Sequence, residues 1–281
     1  MPSAARPSEV FAPNLLLGHV AIVTGGGTNL GRAAAAELIA CGAEVVIAGR
    51  RSDVLEQTGN ELGRQCSWVS GDIRDAADCE RIVDVALERH GRVHTLLNNA
   101  GGQYFSAAEA ITAKGWAAVM RLNVDGTLQM TRACVERALR PGGGGMIASV
   151  TVSPHGGFPG MAHSGAARAA VEAMMRDWAA RGEADGISAV TLALGRFDTD
   201  SLREYPAELT RGLARSVPLG RLGEPREFGW LAALVASPLG HTLSGGTITL
   251  DGAADDWWGP WPPPALTGED GTVPTEERRG S

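Results

Sequence analysis

Lysine is almost missing from this chain. Of its 281 residues, 25 are Lys or Arg, and Lys114 is the single lysine. Basic chemistry therefore falls to arginine, which stays protonated and cannot serve as an acid near neutral pH. Tyrosine is nearly as scarce, with only Tyr104 and Tyr205. The four cysteines, Cys41, Cys66, Cys79 and Cys134, show no Cys-x-x-Cys spacing. They read as small buried hydrophobes in a reducing compartment, which excludes a disulfide framework or a zinc ribbon. The six histidines lack ligand spacing too, so no metal site is expected.

Long apolar runs are absent as well, and no membrane partner is expected. The opening MPSAARPSEVFAPN lacks the basic-then-apolar pattern of a secretory leader and reads as a flexible arm over 1–14. The final ERRGS is not a Ser-Lys-Leu address, so the expected location is cytoplasmic. The formal net charge is −7. Six acids against Arg278 and Arg279 make residues 252–281 net −4, leaving about −3 for the body. Nucleic acid is therefore not an expected partner.

What is present is alternation. Short apolar runs at 19–25, 43–49, 65–72, 93–101, 142–152, 187–195 and 245–252 read as strands. Amphipathic stretches at 29–42, 52–63 (opening on a Ser52 cap), 76–91, 112–140 with a break near Asn123, 160–181 and 225–237 read as helices. Such alternation implies right-handed crossovers and a parallel sheet covered on both faces. The expected fold is α/β: a single doubly wound Rossmann-type domain with a seven-stranded sheet over 15–252. The Pro- and Trp-rich stretch after it, with Trp257, Trp258 and Trp261, cannot continue a helix or central strand and reads as an irregular tail over 253–281.

TGGGTNLGR (24–32) joins the first strand to the first helix. Glycines there let the backbone approach a pyrophosphate, and the helix N-terminus offers free N–H groups. Gly25, Thr28, Asn29, Leu30 and Gly31 are the cradle candidates. Asn29 stands where a third glycine is usual, and asparagine tolerates the left-handed backbone such a turn needs. The second strand ends AGRR. Arg50 there suits the 2′-phosphate of NADP, where an acid would favour NAD; two solvated arginines are the plainer alternative.

These features resemble the short-chain dehydrogenase/reductase family. The resemblance runs from about 15 to 252, through TGGGTNLG, GDI (71–73), NNAG (98–101), LNVDGT (122–127), Ser149, PLGRLGEPREFGWLAALVAS and LSGGTITLDG. It implies a nicotinamide cofactor, with Asp72 and Ile73 beside the adenine and Asn99, Ala100 and Gly101 lining it. It implies that Asn123 belongs to the catalytic set and that Ser149 faces the substrate. Leu194-Gly195 replaces the usual Pro-Gly, which leaves that turn less fixed, and Thr199 meets the nicotinamide end. The helices at 112–140 and 160–181 become a four-helix dimer interface within a homotetramer. NNAGGQYFSAAEAITAKGW and GFPGMAHSGAARAAV are most similar to the peroxisomal trans-2-enoyl-CoA and 2,4-dienoyl-CoA reductase branch.

In HSGAARAAV (163–171), Ser164 and Arg168 overlay the tyrosine and lysine of most family members. Arg168 can hold a ribose through its fork of donors but cannot give up a proton. Ser164 is too short and too weakly acidic to replace a phenol. Carbonyl reduction thus lacks its acid. Reduction of an activated C=C bond needs less, since hydride goes to the β-carbon of an α,β-unsaturated thioester. Neutral donors such as Asn123, Ser149, Ser164 and Thr151 could then stabilise the enolate oxygen. Three readings follow: an NADPH-dependent enoyl-thioester reductase; an alcohol or carbonyl dehydrogenase of a terpenoid or fatty alcohol using His163 or Tyr104 as the acid; and a non-catalytic cofactor-binding module. The stretch 196–221 is the expected substrate lid. Its arginines (Arg196, Arg203, Arg211, Arg215, Arg221) either meet phosphates or form an ordinary solvated face with the acids beside them.

Overall fold

The computed structural model describes residues 7–153, 160–203, 210 and 212–255. Seven strands form one parallel sheet: β1 (Val20–Thr24), β2 (Glu44–Gly49), β3 (Cys66–Ser70), β4 (Thr95–Asn98), β5 (Gly145–Val152), β6 (Ile187–Leu194) and β7 (Thr247–Leu250). Their order is β3-β2-β1-β4-β5-β6-β7. The main helices are α1 (Asn29–Ala40), α2 (Ser52–Leu62), α3 (Ala76–His90), α4 (Ala113–Met120), α5 (Gly126–Cys134), α6 (Ala162–Gly182) and α7 (Pro225–Ala236). The strand order reverses direction between β1 and β4, and a crevice opens there at the carboxyl ends of the strands.

Alternation along each strand explains the two cores. Val23 and Ile47 point to one face and pack with Leu38, Ile39 and Phe228 of α1 and α7. Ile22, Val46, Leu96 and Ile147 point to the other and meet Ile82, Met130 and Met175 of α3, α5 and α6. Fully burying one such side chain stabilises the fold by about 1.5–3 kcal/mol. Local chemistry sets the helix ends. Asp75 caps α3 by accepting from Ala77 N (2.8 Å), and Gly91 ends it in the left-handed region at φ 74°. Pro225 opens α7 inside a Glu224/Glu227 capping box.

Several expectations change. Ser52 is the first helical residue rather than the cap; Arg51 holds the cap position, without a side-chain cap bond. The stretch 112–140 is not broken near Asn123. It runs on through two π-helical turns, Arg121–Asp125 and Val135–Leu139. Residues 7–14 are tied down rather than loose: Phe11 packs against the core, Ser8 bonds Glu37, and Glu9 pairs with Arg226 at 3.0 Å. Burial of Phe11 outweighs the polar composition of that arm. Residues 1–6 and the tail from 256, with its three tryptophans, lie outside the described residues. The cysteines behave as expected. Burial pushes the Cys66, Cys79 and Cys134 thiols up to about 12, so none is a thiolate nucleophile. No described helix is long and apolar enough to cross a membrane.

Candidate active site

The crevice is a cleft of about 1040 Å³, joined to a side cavity of about 240 Å³. Its first wall is the β1–α1 turn. Gly25 sits at φ 64° and Asn29 at φ 45°, so asparagine does occupy the left-handed position. A side chain at Gly31 would stand 2.2 Å from the Gly25 carbonyl oxygen, which only glycine avoids. Thr28, Asn29, Leu30 and Gly31 line the cleft. Asn29 Oδ1 also accepts from Asp200 N at 3.1 Å, linking this turn to the lid.

A threonine that sequence reasoning missed fixes the second wall. Thr24 Oγ1 accepts from Asn99 N and Ala100 N, both at 3.0 Å, and Asn99 Nδ2 returns a bond to Thr24 O at 3.0 Å. This clasp holds the β4 end, with Asn99, Ala100 and Gly101, beside the glycine turn. The side cavity shares Gly25, Thr28, Ala100 and Gly101 with the cleft, and Arg50, Arg51, Asp72 and Ile73 line it. Arg74 donates to Asp72 through Nε at 2.9 Å and holds that carboxyl below the usual carboxylate range, with Arg50 adding to the effect. Arg50 and Arg51 form no salt bridge among the described residues.

The third wall comes from β5 and α6. Ser164 and Arg168 both reach the cleft. Ser164 Oγ donates to Gln103 Oε1 at 3.1 Å, so the place of a phenol is filled by a serine–glutamine pair. Arg168 Nη1 donates to Val150 O at 2.9 Å. A side chain at Gly101 would stand 2.5 Å from Arg168 Nη2, so this glycine leaves room for the guanidinium. Burial pulls Arg168 down to about 10, still charged at neutral pH. Its buried Nε has no partner among the described groups.

Two predicted catalytic residues stand elsewhere. Ser149 does not face the cleft. It is mid-strand, fully buried, accepts from Asn98 Nδ2 at 3.2 Å and donates to the Met175 thioether Sδ at 3.1 Å. Thr151, two residues on and on the same side of the strand, lies in the cleft wall instead. Asn123 is also fully buried, and its amide is spent on backbone. Its Nδ2 donates to Gly102 O and Val119 O, both at 2.8 Å, and its Oδ1 accepts from Gly102 N at 3.1 Å. It braces the loop under the site and offers no donor to a substrate.

Tyr104 and His163, candidate replacement acids, also miss the cleft. Tyr104 turns its hydroxyl against Gly115 of α4. His163 is buried edge-on to Tyr104, with ring centroids 4.4 Å apart, and neither ring nitrogen has a hydrogen-bond partner among the described residues. His155 and Tyr205 lie outside the described residues. At the far end, Gly195 and Thr199 line the cleft as expected. The missing proline leaves no loose turn, because Gly195 N bonds Leu250 O at 3.0 Å and Gly223 N bonds Arg196 O at 2.8 Å. The lid arginines divide. Arg221 pairs with Glu227 at 2.7 Å, whereas Arg196 lines the cleft and donates to Ser216 at 2.7 Å. Arg211 and the Arg203 side chain lie outside the description. Ser153, bonded to Asp251, completes this end.

Glycine turn, clasped β4 end, buried arginine and side cavity together fit an extended dinucleotide. Arg168 and Gly101 both line the cleft. The comparisons agree with this geometry. A family model described as Enoyl-(Acyl carrier protein) reductase matches residues 26–253. A probable 2,4-dienoyl-CoA reductase of Bacillus subtilis is 32% identical over 249 residues, covering 86% of this chain and 97% of the relative. The peroxisomal 2,4-dienoyl-CoA reductase of Pongo abelii is 32% identical, covering 88% and 87%. Among solved structures, a citronellol catabolism dehydrogenase of Pseudomonas aeruginosa PAO1 superposes with a TM-score of 0.78 at 35% identity, covering 88% of this chain and 98% of that one. Sheet order, glycine turn and matched length converge: the chain belongs to the short-chain dehydrogenase/reductase family, oxidoreductases that use a nicotinamide cofactor.

Proposed function

We propose that this protein is an NADPH-dependent reductase that adds hydride to the C=C bond of an α,β-unsaturated, trans-2-enoyl thioester. The observation that carries the reading is the Ser164–Gln103 pair at 3.1 Å where a phenol would stand. Ser164 gives its one proton to Gln103, so the pair leaves the Gln103 amide N–H as a neutral donor and holds no acid. Such donors suit an enolate oxygen, whose negative charge a preorganised hydrogen bond stabilises without proton transfer; one such donor is worth about 100- to 1000-fold in rate. Thr151 adds a third polar group to this wall. The bound cofactor would supply the hydride, with Arg168 holding the ribose and Arg50 and Arg51 facing a 2′-phosphate in the side cavity. The names of the bacterial and peroxisomal relatives, both 2,4-dienoyl-CoA reductases, support the coarser class of an unsaturated acyl thioester.

A second reading, oxidation of a terpenoid or fatty alcohol, draws on the name of the Pseudomonas structure. The two separate in one assay. NADPH and NADH oxidation is followed with 2-hexenoyl-CoA, 2-decenoyl-CoA and a set of aldehydes. The reductase reading expects enoyl thioesters to be turned over and aldehydes to be poor substrates; fast aldehyde reduction beside inert thioesters would reverse the choice.

A homotetramer belongs to the same proposal. Trp116 of α4 and Leu128 of α5 are exposed large hydrophobics. Ala166, Ala169 and Ala173 are exposed on the outer side of α6. Small residues there permit close helix packing between copies. A cytoplasmic location is part of this reading.

A further inference from the structure

Gln103 follows the Gly101–Gly102 turn, where the backbone is freest. A glutamine side chain also loses much rotamer freedom when it is fixed. Holding its amide therefore needs support on both sides. Asn123 supplies the first, through its bonds to Gly102 N and O. The second comes one residue later. Tyr104 lies edge-on to His163, the residue before Ser164 at the start of α6. Further along, Ser106 N donates to Gly160 O at 2.8 Å. The two segments thus run antiparallel, with Gln103 against Ser164, Tyr104 against His163 and Ser106 against Gly160.

His163 is fully buried and its ring nitrogens have no hydrogen-bond partner among the described residues, so ring packing places it. Tyr104 is seated from the other side. A side chain at Gly115 of α4 would stand 2.0 Å from the Tyr104 hydroxyl oxygen and 3.2 Å from the ring carbon that bears it. Gly115 has no left-handed φ to explain it. Its N–H goes to the Thr112 cap at 3.0 Å, a bond that any residue but proline can make. Alanine would suit the helix better. What requires glycine here is the Tyr104 ring, which spans from α4 to α6.

We propose that Tyr104, seated on Gly115 and closed against His163, is a positioning residue that holds the Gln103 amide in place, and that it takes no part in proton transfer. On the reductase reading above, on which this inference rests, that amide meets the enolate oxygen. Its worth then depends on where it stands, since a displacement of about 1 Å costs on the order of 100-fold in rate. Tyr104 acts through Gln103 from outside the cleft, and Gly115 and His163 act through Tyr104.

The test is size compensation at Gly115. Gly115→Ala keeps the capping N–H and adds one methyl group, which meets the Tyr104 hydroxyl. It is expected to lower kcat on 2-decenoyl-CoA about 10- to 100-fold, with KM and NADPH binding followed by fluorescence within about twofold. Tyr104→Phe removes the oxygen that the methyl group meets. Gly115→Ala combined with Tyr104→Phe is expected to return to within about threefold of Tyr104→Phe alone. In Gln103→Ala, which has no amide to place, Gly115→Ala is expected to cost less than about twofold more. Wild-type kcat in Gly115→Ala, no recovery in the combined variant, or a full further loss in the Gln103→Ala background each overturns the clamp. Should Gly115→Ala not fold, Tyr104→Ala at wild-type kcat does the same. The scarcity of tyrosine gives a readout without turnover. With only Tyr104 and Tyr205 in the chain, 19F NMR of protein carrying 3-fluorotyrosine has two signals to assign, and Tyr104→Phe removes one. The Tyr104 signal is expected to shift in Gly115→Ala and in His163→Ala; a signal unmoved in both overturns the proposal. If aldehydes prove to be the substrates, the reductase reading fails by itself. The same variants are then run on the aldehyde, where recovery by Tyr104→Phe keeps the clamp and its absence ends it.

Discussion

At the scale of single residues, a shift of two positions along β5 decides the chemistry. Ser149 and Thr151 point to the same side of the strand, yet one is sealed against Asn98 and Met175 and the other borders the cleft. A strand rises about 3.3 Å per residue, so two residues move a hydroxyl by more than a hydrogen-bond length. Residue type marks both Ser149 and Thr151 as candidate donors but cannot tell which of the two borders the cleft. Arg50 lines the side cavity beside Asp72. Arg50→Asp is expected to lower the preference for NADPH over NADH by about 10- to 100-fold, the worth of one charge-assisted bond. Steady-state kinetics with both cofactors measures it, and an unchanged ratio removes Arg50 from the cofactor site.

At the scale of elements, the π turn Arg121–Asp125 replaces the expected break. Widening the helix by one residue turns the Asn123 side chain back onto Val119 and across to Gly102. Asparagine in mid-helix competes with the backbone for hydrogen bonds, and here that competition becomes a brace. Asn123→Ala would leave three buried backbone bonds unmade. It is expected to cost about 2–4 kcal/mol in urea unfolding and to loosen the Gly101–Gly102 loop. A midpoint equal to that of the wild type would show that the loop holds without it. The glycine turn was legible because its requirement is local: positive φ and close approach can be read from residue type. The Thr24–Asn99 clasp was not, since its two ends are 75 residues apart.

At the scale of the whole molecule, the exposed apolar side of α4, α5 and α6 is the feature a lone chain least explains. Light scattering is expected to give about four times the 29.2 kDa chain mass. Leu128→Arg, which places charge on that side, is expected to lower the mass; a monomer in the unaltered protein would end the tetramer reading. The lid behaves differently from its composition. Arg221 pairs with Glu227 on α7, and Arg196 turns inward to Ser216, so these two arginines do not stand in one phosphate-facing row.

By itself the sequence determined the fold class, the strand and helix order, the glycine turn and the loss of the phenol at Ser164. Each of these rests on periodicity or on one residue's own chemistry, which needs no distant neighbour. Only the tertiary structure decided which hydroxyl borders the cleft, that Asn123 braces rather than donates, and that Tyr104 and His163 stand outside the cleft. Those are distances between residues far apart in sequence or on different elements, and they are set by how α6 and the β4 loop pack against β5.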